Sequence, residues 1–384
     1  MPFEIEQYIP ELKKLRHRLH AEAEISGSEK QTAQIIQEFL SDTNPDDIQS
    51  NIGGHGILAT YLGEANGPHI LLRCELDALP IKDKIDASYK SRKEGVGHKC
   101  GHDGHMSIVC GVANILGEEG LSSGQVSLLF QPSEETGEGA MAVLENQKFK
   151  KLNPDYCFAL HNLPGYEKHQ VVIREGIFAA ASAGLAIHFY GETSHAAHPE
   201  EGKSPALAVG QLIQSLSSVP QFYSSLDQAV KVTVVNVELG EEAYGTSPAE
   251  ATVRVTLRTY DDGVLNNLQD RCVQIAEGLA STYDLEIEHD WVQPFAALVN
   301  DSKAVKVIRE SAENQNLKVL RKELPFNWSE DFGYFLKEIP GAMFGLGSGE
   351  GHPPLHAGSY DFPDEIIVSG VKMFMQIIKE TVSE

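Results

Sequence analysis

His98-Lys-Cys-Gly-His-Asp-Gly-His105 packs three histidines, a cysteine and an aspartate into eight residues. Cys100 and His102 stand one residue apart with Gly101 between them. These are borderline-soft donors whose burial is costly without a cation. Ser107–Leu116 follows as an apolar run with helical character, which predicts that the donors sit in a loop entering that helix. Taken alone, the stretch reads equally well as a histidine-rich surface turn with an idle thiol, because C-x-H is a weaker zinc signature than paired CxxC motifs.

The segments on either side raise the metal reading. Ile70-Leu-Leu-Arg-Cys-Glu-Leu-Asp77 starts apolar and turns acidic. That is the pattern of a buried parallel strand delivering Asp77 to its carboxyl edge, where open α/β sheets hold ligands. Gln125–Phe130 is a second apolar strand and ends in Gln131-Pro-Ser-Glu-Glu135. Successive side chains there point in different directions, so one of Glu134 and Glu135 can bind a cation while the other faces water. Tyr156–Leu160 is a third such strand and ends at His161; His356 lies in a further His/Pro/Gly-rich turn near the C-terminus. Each residue by itself also suits a solvated turn. Their recurrence at successive element edges suits one site.

These strands alternate with amphipathic helices, one over residues 3–22 with Pro10 in its first turns and one from Ser28 to Leu40 with a Ser28/Gln31 capping box. An α/β catalytic domain with a central mixed sheet flanked by helices is therefore expected, built from residues 1–181 and 293–384. Residues 182–292 read differently, as β-α-β-β-α-β, the order of a ferredoxin-like α+β domain. This inserted domain carries Thr193-Ser-His-Ala-Ala-His-Pro199, and either Gly184–Tyr190 or Val230–Glu238 offers an edge strand for pairing between subunits.

Composition excludes several classes. At 384 residues the chain is long for one core. A formal charge of −24 opposes nucleic-acid and anionic-membrane partners. The five cysteines are odd in number and scattered, as expected of reduced thiols in the cytoplasm rather than a disulfide framework. No basic-then-apolar leader and no apolar stretch of membrane-spanning length is present, so the expectation is a protein neither exported nor membrane-bound.

Cys100, His102, Glu135, His161 and His356 are too many donors for one closed tetrahedral zinc and too few for two closed sites. The set favours two adjacent divalent ions sharing a thiolate and a water; zinc, manganese, nickel or cobalt fit, whereas magnesium and calcium prefer oxygen. A hydroxide held between two Lewis-acidic ions is a nucleophile at neutral pH, and Glu134 stands next in sequence to take and return its proton. Amide, ester and phosphoester cleavage all remain open to such a centre. No phosphate-cradling glycine motif is present.

Over nearly its whole length the chain resembles the aminoacylase/carboxypeptidase family of dinuclear metallohydrolases, in the branch with hippurate hydrolase, indole-acetyl-amino-acid hydrolases and N-acetyl-diaminopimelate deacetylase. Leu72–Ile81 is similar to LRADMDALPI, Cys100–His105 matches CGHDGH, and Phe130–Glu135 resembles FQPAEE. His161 with Pro164, Ser194-His-Ala-Ala197, Ser329-Glu-Asp-Phe332 and Leu355-His356 continue the series in order. The resemblance implies a metallopeptidase-type fold, Cys100 bridging two ions, His102, Glu135, His161 and His356 as the other ligands, and Glu134 as general base and acid. It implies that Asp77 orients a ligand. It also implies that His195, on an inserted lid and dimerisation domain, polarises the scissile carbonyl, in many relatives across a dimer interface. The implied reaction is hydrolysis of N-acyl amino acids by a homodimer or larger homo-oligomer; a carboxypeptidase or dipeptidase acting on small peptides, or a catalytically silent relative, are the alternatives. Three departures stand out: Cys74 and Glu75 replace Ala and Asp, His20–Glu24 lacks the proline of HxxPE, and Gly245-Thr-Ser-Pro248 replaces NVIP, removing an asparagine that helps hold substrate. Arg258, in a strand, suits a substrate carboxylate or a structural ion pair.

Overall fold

The apolar runs meet in one seven-stranded sheet. In the computed structural model, which describes residues 5–383, the strand order is Asp47–Ile52, Gly56–Glu75, Tyr156–Pro164, Gly341–Gly349, Val171–Ile173 and Val319–Arg321, with Leu121–Gln131 also paired to Gly56–Glu75. Tyr156–Pro164 runs parallel to Gly341–Gly349, whereas Asp47–Ile52 and Val171–Ile173 are antiparallel to a neighbour, so the sheet is mixed. Leu72, Leu128, Phe158 and Phe344 from the strands share a core with Leu12 and Leu19 of helix Ile9–Ala21, Ile108 and Val112 of helix His102–Glu119, and Val371 and Phe374 of helix Ile367–Ser383. Each such buried side chain contributes roughly 1.5–3 kcal/mol of transfer free energy. Helices therefore cover the sheet, and the first unit runs up to Phe178 and resumes over Leu298–Pro325 and from Glu330 onward.

Three local expectations are corrected. The helix expected from Ser107 begins at His102, so His102 and His105 occupy its first turn rather than a preceding loop. His161 lies within the Tyr156–Pro164 strand and not beyond its end. Ser28 does not cap the second helix, which spans Lys30–Ser41 with Glu29 at the cap position and no side-chain cap. The Glu29 carboxylate instead accepts from the backbone amides of Gly27 and Ser133, each at 2.8 Å. It thereby ties this helix start to the turn that carries Glu134.

The second unit, Ala179–Ala297 with Phe326–Ser329, has its own core. Its antiparallel sheet is ordered Glu286–Phe295, Ala181–Tyr190, Glu250–Thr259, Val230–Leu239. Helices Ala206–Tyr223 and Asp262–Thr282 pack Leu212, Leu216, Leu268 and Cys272 against Ile187, Phe189, Val253 and Val255. The Asp261 carboxylate accepts from the Val264 amide at 2.8 Å, an N-cap contributing about 1 kcal/mol. Ala181–Tyr190 is paired on both sides and offers no free edge; of the two candidate strands, only Val230–Leu239 is an edge. Phe326–Ser329 joins this unit because Arg258 donates to the Asn327 carbonyl at 3.1 Å and to Ser329 Oγ at 3.0 Å. Among the described residues Arg258 is thus engaged by hydrogen bonds within its own unit rather than by an ion pair.

Candidate metal centre

In the first unit the ends of three sheet strands and the start of one helix bring Asp77, Cys100, His102, Glu134, Glu135 and His161 together with His356. Cys100 is the common member of two donor groups, one with His102 and His161 and one with Glu135 and His356; within each, the donor atoms lie within 4.8 Å of one another. Cys100 Sγ is 3.5 Å from His161 Nε2, and His356 Nε2 is 3.8 Å from Glu135 Oε2. His102 Nε2 lies 3.8 Å from both Glu134 Oε2 and Glu135 Oε1.

Each donor is aimed by its other polar atoms. The imidazole Nδ1 of His102 donates to the Asp77 carbonyl at 2.8 Å, which fixes Nε2 as the nitrogen facing the cluster. The Asp77 carboxylate is farther from that nitrogen, at 3.5 Å. Its Oδ2 accepts instead from the Glu135 amide at 2.9 Å and from Ser26 Oγ at 2.7 Å. Asp77 therefore orients two neighbours, one through its backbone and one through its side chain. His161 Nδ1 pairs with the Asn162 carbonyl at 2.9 Å, leaving Nε2 toward Cys100. Ser133, in the left-handed region at φ 55, turns the chain after the strand, and both Glu134 and Glu135 then reach the same group of donors as His102.

Among the described residues, His102 Nε2 and Glu135 Oε1 are buried and have no hydrogen-bond partner. Such orphaned atoms cost stability unless something pairs them, and a cation between them pairs both. The electrostatics agree. Burial pushes the Cys100 thiol well up, with Glu135 and Glu134 adding to the effect. Burial likewise raises Glu134 well above the usual carboxylate range, reinforced by Glu330 and Glu135, and raises Glu135 to about 7 against the pull of His102. Burial lowers His161 to about 3. Anionic donors crowded at this density call for positive charge, and the donor chemistry fits a thiophilic divalent ion.

Behind the donors lies a second layer to which the sequence assigns no role, although Glu75 stands out there as a departure and Glu330 and Asp331 lie in the Ser329–Phe332 motif. Arg73, fully buried, donates to Gln131 Oε1 at 2.8 Å, Glu330 Oε1 at 2.9 Å, Asp331 Oδ1 at 2.6 Å and to Glu75. Glu75 Oε2 meets His105 Nδ1 at 2.6 Å, and His105 Nε2 meets Asn162 Oδ1 at 2.6 Å. The acidic end of the Ile70–Asp77 run was the available signal for Glu75. Its partner Arg73, inside an apolar strand, was the other.

Gly101 shows why a glycine divides the cysteine from the histidine. It caps the helix at φ 94, and a Cβ there would strike the Asn162 side chain. Gly101→Ala is expected to displace Cys100 or Asn162 and weaken metal retention by about tenfold or more, measured by metal content after dialysis; unchanged content would show that the turn tolerates a side chain.

His195 belongs to the second unit, where it is exposed in a short strand, its partner being Thr246. Its Nδ1 accepts from the Ala197 amide at 3.0 Å, which places the proton of the neutral ring on Nε2. Among the described residues no helix is long and apolar enough to cross a membrane.

Known proteins resemble this chain over most of its length. N-acetyl-L-cysteine deacetylase of Bacillus subtilis is 31% identical over 339 residues, covering 88% of this chain and 80% of the relative. Hippurate hydrolase of Campylobacter jejuni is 28% identical over 371 residues, covering 96% and 95%. A solved structure of a dinuclear metal-binding M20 peptidase from Bacillus subtilis superposes with a TM-score of 0.80 at 24% identity, covering 98% of this chain and 99% of that one, and supports the fold. Residues 71–380 match the profile of Peptidase family M20/M25/M40, and with that match and the deacetylase likeness the chain belongs to this family.

Proposed function

We propose that the protein hydrolyses the amide bond of N-acyl amino acids with two divalent ions, one held by Cys100, His102 and His161 and the other by Cys100, Glu135 and His356. The observation that carries this reading is the pair of donor groups sharing Cys100, with Glu134 left beside them. The relatives named N-acetyl-L-cysteine deacetylase and hippurate hydrolase support the substrate class. Bound there, the ions would supply Lewis acidity, polarising the scissile carbonyl and acidifying the attacking water.

The rest is done by side chains. Glu134 Oε1 is met by the Asp331 amide at 3.4 Å, so Oε2 is the oxygen turned toward His102 and the donors. Oε2 takes a proton from the attacking water and delivers it to the nitrogen of the breaking C–N bond, releasing carboxylate and amine. Asp77 keeps His102 and Glu135 in place during this exchange. His195, with its proton on Nε2, is suited to donate to the developing oxyanion. The cysteines are all unpaired and buried, as suits a reducing cytoplasm, and the exposed Val230–Leu239 edge suits pairing with a second copy.

The test is metal analysis of the purified protein, followed by hydrolysis of N-acetyl, N-benzoyl and indole-acetyl amino acids with manganese, zinc, nickel and cobalt. Chelation is expected to abolish hydrolysis and readdition of one of these ions to restore it. A metal-free protein that cleaves none of these amides under any ion would overturn the reading.

A further inference from the structure

We propose that Lys99 is a positioning residue that clamps the His356 segment onto the Cys100–His102 turn, so that the ion assigned to Cys100, Glu135 and His356 depends on it. This rests on the donor assignment above. Lysine is almost never fully buried without partners, yet the Lys99 side chain has no exposure to solvent. Its Nζ donates to Asp83 Oδ1 at 2.5 Å and to the Tyr360 carbonyl at 2.8 Å. Its own carbonyl accepts from the His356 amide at 2.7 Å. One residue, the chain neighbour of Cys100, therefore grips the turn carrying His356 at both positions 356 and 360.

His356 needs such a grip. Cys100, His102 and His161 are buried beside or within regular elements, and the Glu135 amide is held by Asp77. His356 sits at φ 65 with its side chain 53% exposed, in a turn outside any helix or strand. A frame of buried charge surrounds the clamp. Asp83 also accepts from the Ser91 amide at 2.9 Å and the Ile85 amide at 3.1 Å, and pairs with His20 Nε2 at 3.0 Å. The Lys84 amide donates to the Gly358 carbonyl at 2.8 Å, and Arg16 reaches Asp361 at 2.7 Å. Asp83 thus keeps three partners when Lys99 is replaced, and the unit should stay folded, whereas the Tyr360 carbonyl loses the ammonium that holds it.

The expected result for Lys99→Met is selective. The wild-type protein should take up two ions per chain in a cobalt titration, with a thiolate-to-cobalt absorption band reporting Cys100. The variant should keep that band and one tight ion, while the second binds about 10–100-fold more weakly. Asp83→Asn keeps the shape but removes the charge that holds Nζ, and should weaken the same ion selectively even though losing a buried counter-charge lowers the thermal midpoint; it decides the matter if Lys99→Met does not fold. Two ions bound with wild-type affinity in the folded variants would overturn the clamp while leaving the donor assignment intact. Equal weakening of both ions would overturn its selectivity and hence the proposal. A wild-type protein that binds no cobalt overturns the donor assignment and the clamp together.

Discussion

Glu134→Gln is expected to lower the turnover of an N-acyl amino acid by about 10²–10⁴-fold while leaving the metal content of the protein unchanged. The substitution preserves size and keeps an oxygen for the Asp331 amide, so the loss isolates the proton-accepting function. Glu134 is only 5% exposed and faces the donors through Oε2. Its carboxyl is raised by burial, then by Glu330 and Glu135, and that direction suits a group that must both take and release a proton near neutrality. Glu135, one residue on, differs in kind. Its Oε1 is an orphan among the donors and its Oε2 faces His356, so Glu135→Gln should instead release metal. The pair of variants separates the two adjacent carboxylates: turnover lost with metal kept at 134, metal lost at 135. A Glu134→Gln protein with full metal and undiminished turnover would remove the general base from the mechanism.

Much of this centre is legible from the chain because buried strands deliver their last residues to one sheet edge. Asp77, Glu134 and Glu135 follow apolar runs whose burial is required by their composition, and such runs constrain where the next residue emerges. Helix starts are less legible. The glycines and histidines of residues 101–105 lack apolar periodicity, so the pattern predicts a helix only from Ser107, although His102 already lies on its first turn. What fixes that start is tertiary: Asn162 beneath Gly101 and Phe362 against Gly104, from segments far along the chain. The same holds for Glu29. Its carboxylate is taken up by the Gly27 and Ser133 amides, and no local pattern announces a partner about a hundred residues away. Charges inside strands are the other blind spot. Arg73 interrupts an apolar run, and only the fold shows that Glu75, Glu330 and Asp331 converge on it.

Arg73→Met should therefore destabilise the first unit severely, by about 3–5 kcal/mol, which is a large part of the total for a domain of ordinary stability. Methionine fills the space of the aliphatic stem, so the cost is electrostatic. Three carboxylates lose the cation they share, and Gln131 Oε1 loses its donor. Glu330→Gln is the milder companion, because Arg73 then keeps Glu75 and Asp331. The pH dependence has a definite sign. Burial opposes ionisation of Glu75, but Arg73 first and His105 next outweigh it and hold this carboxyl well below the usual range. A depressed carboxyl contributes stability that is present above its unfolded pKa and lost as pH falls through the folded one. Without Arg73 burial is the largest single influence left on Glu75, opposed by His105 and His102, so its folded pKa rises relative to the wild type and the variant loses less stability in acid than the wild type does. The gap between wild type and Arg73→Met, measured from urea unfolding midpoints of the first unit, should accordingly be widest near pH 8 and narrow toward pH 5. A gap that is constant over this range would assign the loss to packing rather than to unpaired charge.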